Sequence, residues 1–303
     1  MLKKLSVWLI LLAGCFWGSM GIFVRILQQE YGFTSIQIAG ARLTIAAIGF
    51  WIVLLVLRPK ETKIKLKDTP LFLALGWFSM AGMCVSYFYA ITLSTMSVAA
   101  ILLYLSPIAV MLMSAIFLKE KITPKKIVAL VLAVGGCALV AGLGSGGSVG
   151  TLAIIVGLIS AITYGSYSIF SAKALKKYNP LTVTAYTFTL AAIPVVLLCR
   201  PDELYRIMAA NMSVKLVLLT VGLAITSAVI PFGIYTIGLK YTPASKAAVL
   251  ACSSPVSATV YGLIFFHEYP SPLAYAGIVL VLAAIILLNI NIGKKRTPPD
   301  GEK

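Results

Sequence analysis

The sequence repeats itself at one fixed interval. Ser106-Pro107 recurs as Ser254-Pro255, 148 residues further along the chain (106 to 254). Chance matches do not keep one register over so many positions, so the chain is predicted to fold as two similar halves. The same interval relates Tyr87 to Tyr235, Ser97 to Ser245, Ala99-Ala100 to Ala247-Ala248, Leu102 to Leu250, Glu120 to Glu268 and Pro124 to Pro272.

The composition indicates that the solvent of this fold is lipid. Hydrophobic residues make up 60% of the chain, charged residues 11%, and the mean hydropathy is +1.00, more apolar surface than the core of a soluble domain requires. Each half contains five stretches long enough to cross about 30 Å of hydrocarbon. Because five is odd, the second half must lie upside down relative to the first, as in transporters with alternating access. The ten predicted spans are 5–27, 34–57, 70–92, 95–118, 124–142, 150–172, 180–199, 213–239, 243–266 and 272–291.

The sequence therefore predicts an all-α membrane protein with ten transmembrane helices, arranged as two inverted five-helix repeats around a central cavity. The glycine- and serine-rich stretch 142–148 is typical of a flexible connector between the halves. The predicted units are residues 1–145, residues 146–293 and a polar tail over residues 294–303.

Lysine and arginine are concentrated in alternate connections between the predicted spans. Because cytoplasmic loops retain positive charge, both termini are predicted to lie on the cytoplasmic side of the plasma membrane. The net charge of +16 is thus a topology signal. Lysines scattered over short loops form no continuous basic face for nucleic acid. The residues assigned to this side are Lys3, Lys4, Arg58, Lys60, Lys63, Lys65, Lys67, Lys119, Lys121, Lys125, Lys126, Lys173, Lys176, Lys177, Lys240, Lys246, Lys294, Lys295, Arg296 and Lys303.

Several short motifs carry a resemblance to a known family. Trp17-Gly18 lies in the first predicted span and Ala41-Arg42 in the second. The fourth and ninth spans each contain a Ser-Pro pair and end at a glutamate, Glu120 in the fourth and Glu268 in the ninth. Together with the two five-helix halves, these motifs make nearly the whole chain similar to the EamA-type drug/metabolite transporters. The resemblance implies a ten-helix basket with an inverted repeat, a central cavity and export of small metabolites or amino acids.

The chain also departs from a strict repeat of these motifs. Tyr164-Gly165 stands where the first half has Trp17-Gly18, and His267 stands where it has Lys119. These differences leave the expected fold unchanged and the substrate open.

The two Ser-Pro pairs fall near the middle of their predicted spans. Each proline removes a backbone donor and frees the carbonyl four residues before it, which in lipid should face a neighbouring helix or a wet cavity. Nearby serines, Ser253 among them, are placed to help satisfy that carbonyl. The functional interpretation is a pair of hinges at Ser106-Pro107 and Ser254-Pro255, and the alternative is a static kink.

Polar and aromatic residues inside the predicted spans are the candidates for a cavity wall. Residues seven positions apart form a stripe along one side of the fourth and ninth spans, and this stripe is expected to face inward. Its members are Ser97, Tyr104 and Met111 in the fourth span and Ser245, Cys252 and Thr259 in the ninth. Aromatic residues far from the headgroups can stack on a planar or cationic solute, and the tyrosines among them need partners for their hydroxyls. The predicted substrate-binding residues are Trp17, Arg42, Tyr87, Ser97, Tyr104, Tyr164, Tyr167, Tyr235, Ser245 and Cys252.

Arg42 is the strongest ionisable candidate within a span. It is suited to attract a substrate carboxylate, and the alternatives are snorkelling towards the outer surface or an ion pair with Glu30. Glu120 and Glu268 are predicted to anchor helix ends at opposite faces of the membrane. Because no carboxylate or histidine is predicted at mid-span, the hypothesis is facilitated or weakly coupled transport without a proton relay.

The sequence predicts a transporter without enzymatic activity, cofactor or metal. The single histidine, His267, lies at the end of a span without an acid-base partner, and the five cysteines occupy different spans. The leading function is export of amino acids or similar neutral metabolites across the bilayer. The alternatives are movement of lipophilic or quaternary ammonium cations held by the tyrosines, and a non-transporting receptor or scaffold. A monomer and a homodimer both stay open.

Overall fold

Helices make up nearly all of the described structure. The computed structural model describes residues 2–141 and 150–289, so the predicted connector 142–148 and the tail 294–303 lie outside it. Within these two ranges there is no strand, and nine helical stretches are long and apolar enough to cross a membrane. The prediction of an all-α fold built from apolar spans is confirmed.

The first half contains eight helices, and three of its five spans are interrupted. The first span is broken at Ser19, and the fourth is broken between Leu103 and Ser106. In chain order the helices are α1 (Leu2–Gly18), α2 (Met20–Tyr31), α3 (Ser35–Leu57), α4 (Thr69–Leu73), α5 (Gly82–Leu93), α6 (Met96–Leu103), α7 (Ser106–Phe117) and α8 (Pro124–Val140).

The second half also contains eight helices, but its first span is a single helix, α9, where the first half has the break at Ser19. Its ninth span is broken at Cys252, the counterpart of the break in the fourth. An additional short helix, α11, lies in the connection between the seventh and eighth spans. The helices are α9 (Thr151–Ala174), α10 (Pro180–Leu198), α11 (Pro201–Ala210), α12 (Val214–Ala224), α13 (Ile230–Leu239), α14 (Ala244–Ala251), α15 (Ser253–Phe266) and α16 (Pro272–Asn289).

The fifth predicted span is the one absent from the nine. It corresponds to α8, which has 17 described residues, one fewer than the 18 required of a candidate span. A helix of that length rises about 26 Å, close to the hydrocarbon thickness. The count of ten spans therefore remains a prediction.

The third and eighth spans each contain a π-helical segment that the sequence analysis did not anticipate. Ala74–Ala81 separates α4 from α5, and Ile225–Val229 separates α12 from α13. The second segment falls on the repeat equivalent of the end of the first. Because π turns are rare and local, their occurrence at matched positions indicates that the repeat extends to backbone irregularities.

Helix packing follows a pattern that is unchanged when the two halves are exchanged. The contact of α1 with α13 corresponds to that of α9 with α5, and the contact of α1 with α15 corresponds to that of α9 with α7. The second span packs on the seventh through α3 and α10, and the fifth packs on the tenth through α8 and α16. Exchanging the two halves therefore leaves this set of helix contacts unchanged.

Two ends of the bundle can be distinguished by their contacts. Near the start of α1, Ser6 shares a hydrogen bond of 2.8 Å with Thr242, in the turn before α14. Glu120 binds the first residue of α14, so this end is called the Glu120 face. The first span ends at Tyr31 on the opposite side, where Arg25 forms an ion pair with Glu268. That end is called the Glu268 face.

Candidate solute cavity

A cavity of about 390 Å³ lies between the two halves. Its wall includes residues of α1, α2 and α3, of the third and fourth spans, and of α9, α13, α14 and α15. The lining extends to Val24 in α2 and to Ser35 at the start of α3, which places its far part towards the Glu268 face. Small-molecule sites commonly occupy about 300–1,000 Å³, so the cavity is large enough for a metabolite.

The Ser-Pro breaks place backbone next to this cavity. Ser106 and Pro107 open α7 and line the wall, and Ser254 lines it from α15. Pro107 and Pro255 sit in the first turn of their helices, where a missing amide donor costs little. Both prolines therefore lie at the start of a new helix. Of the four predicted hinge residues, Ser106, Pro107 and Ser254 line the cavity, and Pro255 is buried and does not.

The hydroxyl of Ser253 does not satisfy the carbonyl that the sequence analysis assigned to it. It donates instead to the carbonyl oxygen of Leu11 in α1, at 3.2 Å. The bond joins the ninth span to the first, across the two halves.

The predicted aromatic residues divide into two groups. Trp17, Tyr87, Tyr104 and Tyr164 line the central cavity. No hydrogen bond within the described residues holds the hydroxyls of these three tyrosines. They are therefore placed to bind water or a solute.

Tyr167 and Tyr235 form the second group and are engaged with the protein. The hydroxyl of Tyr167 is 2.7 Å from Thr236 Oγ1, and that of Tyr235 is 2.8 Å from Ser168 Oγ. Both side chains are buried beside a small void of about 30 Å³, room for roughly one water. Tyr167 and Tyr235 therefore pack as structural residues beneath the cavity, with their hydroxyls already bound to the protein.

Phe232 joins the two groups and was not anticipated from the sequence. Its ring lies 5.0 Å from that of Trp17, edge to face, and it lines both the cavity and the small void. Its repeat equivalent, Cys84, also lines the cavity. Both residues precede a candidate tyrosine, Tyr235 or Tyr87, by three positions, so helical spacing applied to the repeat was the signal that could have identified them.

Arg42 lines the cavity with its charge uncompensated by the protein. The residue is 5% exposed, and its Nη1 and Nη2 atoms lie 3.3 Å from Met20 Sδ and 4.0 Å from Cys84 Sγ. Its Nε is buried without a hydrogen-bond partner, and no carboxylate of the described residues lies within ion-pair distance. A buried charge of this kind is costly, which favours a ligand of opposite sign.

The alternative roles for Arg42 do not match its surroundings. Glu30, the suggested ion-pair partner, binds Lys215 instead, with Nζ and Oε2 2.5 Å apart. Snorkelling requires a side chain that reaches water at the surface, and this one is enclosed. Both expectations were wrong.

The predicted polar stripe is only partly on the cavity wall. Tyr104 and Cys252 line the cavity, Met111 is buried in the core, and the hydroxyl of Thr259 donates to Pro255 in its own helix, at 2.9 Å. The side chain of Ser97 lies outside the described residues. Seven-residue spacing assumes a continuous helix, and both spans are broken beside the Ser-Pro pairs.

Ser245 is bound to Glu120 at the end of the bundle. The Glu120 carboxylate accepts from Ala244 N at 2.7 Å, from Ser245 N at 3.4 Å and from the Ser245 hydroxyl. Lys126 Nζ lies 3.3 Å from the same group, whose side chain is 14% exposed. Glu120 thus caps α14 from the connection between α7 and α8, since Pro243, at the N-cap position, provides no side-chain cap.

Apolar spans, an interior cavity with aromatic walls and contacts shared between two similar halves together define a membrane transporter. The chain belongs to the EamA-like transporter family, whose model matches residues 4–142 and again residues 151–290. The family resemblance seen in the sequence is confirmed. One solved structure shares the fold, with a TM-score of 0.78 at 17% identity, over 94% of this chain and 96% of that one.

Relatives with assigned names are also transporters. An uncharacterized transporter of Archaeoglobus fulgidus is 29% identical over 93% of this chain and 98% of its own length. A probable terminal-alkyne amino-acid exporter of Streptantibioticus cattleyicolor is 26% identical over 96% of both chains. A pseudopaline exporter of Pseudomonas aeruginosa is 27% identical over 80% of this chain and 83% of its own.

Proposed function

We propose that this transporter exports amino acids or similar small carboxylate-bearing metabolites across the plasma membrane. The observation that carries the proposal is the buried, uncompensated guanidinium of Arg42 in the wall of the central cavity. Two relatives named as exporters, one of an amino acid, support the same class of solute.

A carboxylate is the solute group that best complements Arg42. The guanidinium can donate two parallel hydrogen bonds to a carboxylate, a pair roughly twice as strong as neutral hydrogen bonds. The free hydroxyls of Tyr104 and Tyr164 and the ring of Trp17 supply polar and aromatic contacts for the rest of the solute.

The same charge disfavours the quaternary ammonium alternative. Aromatic faces attract cations, but an unpaired arginine in the same low-dielectric cavity repels them. No carboxylate of the described residues lines the cavity to offset that repulsion. A cationic solute would therefore require that Arg42 lose its charge or move away from the cavity, whereas a carboxylate requires neither change.

The inverted repeat supplies a route for alternating access in this proposal. The exchange-symmetric contacts between the halves, together with an odd number of spans in each, support two antiparallel copies around the cavity. The lysine-rich connections support cytoplasmic termini. Thiol labelling in intact cells tests the orientation: Lys121→Cys should be protected and Arg206→Cys should react with an impermeant reagent.

Counterflow in proteoliposomes tests the solute class. We expect labelled amino acids to exchange, unlabelled amino acids to compete, and their amides and quaternary ammonium compounds to compete at least tenfold more weakly, because removing one partner of a buried charged pair costs about 2–5 kcal/mol. Competition by the cations alone would reject the proposal.

Variants of two arginines locate the effect. Arg42→Met should lower the rate of amino-acid counterflow at least tenfold, and Arg42→Lys should retain part of it because the charge remains. Arg200→Met is the matched control, since Arg200 is exposed and pairs only with its neighbour Glu203. An equal loss in both arginine-to-methionine variants would indicate a general defect and would contradict a specific role for Arg42.

A further inference from the structure

The small void beside the central cavity has a wall of its own. Its volume of about 30 Å³ has room for roughly one water, and a primary ammonium group, like water, has a single non-hydrogen atom. Arg42 lines the cavity and does not line the void. Six residues line both spaces, so a solute held in the cavity has access to the void. They are Trp17, Ser106, Tyr164, Phe232, Ala248 and Ala251.

Two hydroxyl groups at the void have no partner in the described part of the protein. Ser106 is only 6% exposed, and no hydrogen bond between described residues uses its hydroxyl. The hydroxyl of Tyr164 is in the same position. Because a buried hydroxyl without a partner is costly, both groups favour a ligand that forms hydrogen bonds with them.

The backbone adds an acceptor at the same place. Ala251 is the last residue of α14 and lies four positions before Pro255. Since proline has no amide hydrogen, Pro255 cannot donate to the Ala251 carbonyl as another helical residue would. Ala251 also lines the void. Together with the two hydroxyls, this carbonyl gives the void as many acceptors as a primary ammonium group has donors.

Aromatic rings form much of the remaining wall of the void. Trp17, Tyr167, Phe232 and Tyr235 all line it. The ring centroid of Phe232 lies 5.0 Å from that of Trp17 and 5.3 Å from that of Tyr167. Aromatic faces attract cations, most strongly where water is excluded. No carboxylate of the described residues lines the void, so this wall suits a cation whose charge is balanced within the same solute.

We propose that the void binds the ammonium group of an amino acid whose carboxylate binds Arg42. The inference rests on the solute class proposed above and narrows it to carboxylates that carry a primary ammonium group. The solute carboxylate neutralises Arg42, so the ammonium group does not meet an unpaired positive charge. A trimethylammonium group is too large for a space of one water, and the void therefore excludes betaines.

Competition among four compounds with one carbon skeleton tests the proposal in proteoliposomes. The parent is the amino acid that exchanges fastest in counterflow. If the parent is phenylalanine, the others are 3-phenylpropanoate without the ammonium group, the trimethylammonium betaine, and 2-phenylethylamine without the carboxylate. We expect the parent to compete at least tenfold more strongly than each of the other three, because each loses one buried charged contact.

Variants of two repeat-equivalent serines locate the effect. Ser106→Ala should lower the preference for the amino acid over its des-amino acid roughly tenfold, because one hydrogen bond to a charged group is lost. Ser254→Ala is the matched control and should leave this preference unchanged, since Ser254 lines the cavity and not the void. Tyr164→Phe removes the other free hydroxyl and should also lower the preference, which provides a second variant if Ser106→Ala does not fold.

The outcomes separate the ammonium site from the carboxylate site. Equal competition by the amino acid and its des-amino acid would mean that the void holds water only, and the ammonium site would be rejected while the carboxylate class stands. Equal competition by the betaine, or an equal loss of preference in Ser106→Ala and Ser254→Ala, would also reject the ammonium site.

Thermal unfolding in detergent covers the case in which no amino acid exchanges. A compound that binds the folded protein raises its unfolding temperature, so the phenylalanine set reports binding without transport. Stabilisation by 2-phenylethylamine alone would retain the ammonium site and reject the solute class. No stabilisation by any of the four compounds would reject both.

Discussion

The two helix pairs that hold the Ser-Pro segments are related by the repeat but are not packed equally closely. A Cβ added at Gly18 in α1 would lie 2.7 Å from Ala258 N and 2.8 Å from Ser254 O, both backbone atoms of α15. A Cβ added at Gly165 in α9 would lie 3.0 Å from a methyl group of Val110 and 3.2 Å from Ser106 O in α7. The partners are repeat equivalents, and the distances differ.

The comparison shows that the duplicated sequence determines which residues of the two helix pairs meet. The distance between those residues depends on the conformation of each half. In the α1–α15 pair, a Cβ added at Gly18 would collide with backbone atoms. In the α9–α7 pair, the atom nearest to a Cβ added at Gly165 is a methyl group of Val110, which would have to move by only a few tenths of an ångström. A second difference between repeat equivalents accompanies this one: Glu120 caps α14, whereas Glu268 pairs with Arg25. Both follow if the structure is one of two states that are related by exchange of the halves.

The largest expected effect comes from adding a methyl group at the closer contact. Gly18→Ala should lower the free energy of unfolding by about 1–3 kcal/mol, because neither backbone atom can move without shifting a helix. Gly165→Ala should cost less than about 1 kcal/mol. Thermal unfolding in detergent measures both.

A glycine without neighbours provides the control for this pair. No atom lies within 4 Å of a Cβ added at Gly135, so Gly135→Ala should be neutral or stabilising by about 0.5–1 kcal/mol. Equal losses at Gly18 and Gly165 would remove the difference on which the comparison depends.

Replacing the prolines tests whether both breaks move. Pro107→Ala and Pro255→Ala should each slow counterflow several-fold while changing stability by no more than about 1 kcal/mol, because a first-turn proline can be replaced without loss of a hydrogen bond. Initial rates at equal protein density provide the measurement. Unchanged rates in both variants would mean that the Ser-Pro breaks are static.

The smallest expected effect distinguishes the two groups of tyrosines. Tyr167→Phe removes a buried hydrogen bond to Thr236 and should cost about 1 kcal/mol of stability, with little change in the KM of transport. Tyr164→Phe should do the reverse, raising KM a few-fold at constant stability, because its hydroxyl faces the cavity. An equal loss of stability in Tyr164→Phe and Tyr167→Phe would mean that the two tyrosines have the same structural role, and the division into two groups would be wrong.

Much of the fold could be predicted because lipid makes the hydrophobic pattern decisive and the repeat supplies a second copy of every signal. The breaks at the Ser-Pro pairs follow from the chemistry of proline. The π segments could not be predicted, since Ala74–Ala81 and Ile225–Val229 carry no glycine or proline pattern that distinguishes them from α-helix.

The site was predicted in part, for reasons of geometry. Trp17 and Tyr104 were identified because aromatic residues deep in a span have few other roles. The bond between Glu120 and Ala244 joins residues 124 positions apart, and the lack of a partner for Arg42 depends on where every carboxylate of the described residues lies. Neither property is visible in local spacing.

A structure with an exchanging amino acid bound is the most direct test of the central claim. The solute carboxylate should lie within about 2.7–2.9 Å of the Arg42 guanidinium, in the cavity between the halves. A solute bound in that cavity with its carboxylate directed away from Arg42, or bound outside the cavity, would contradict the account.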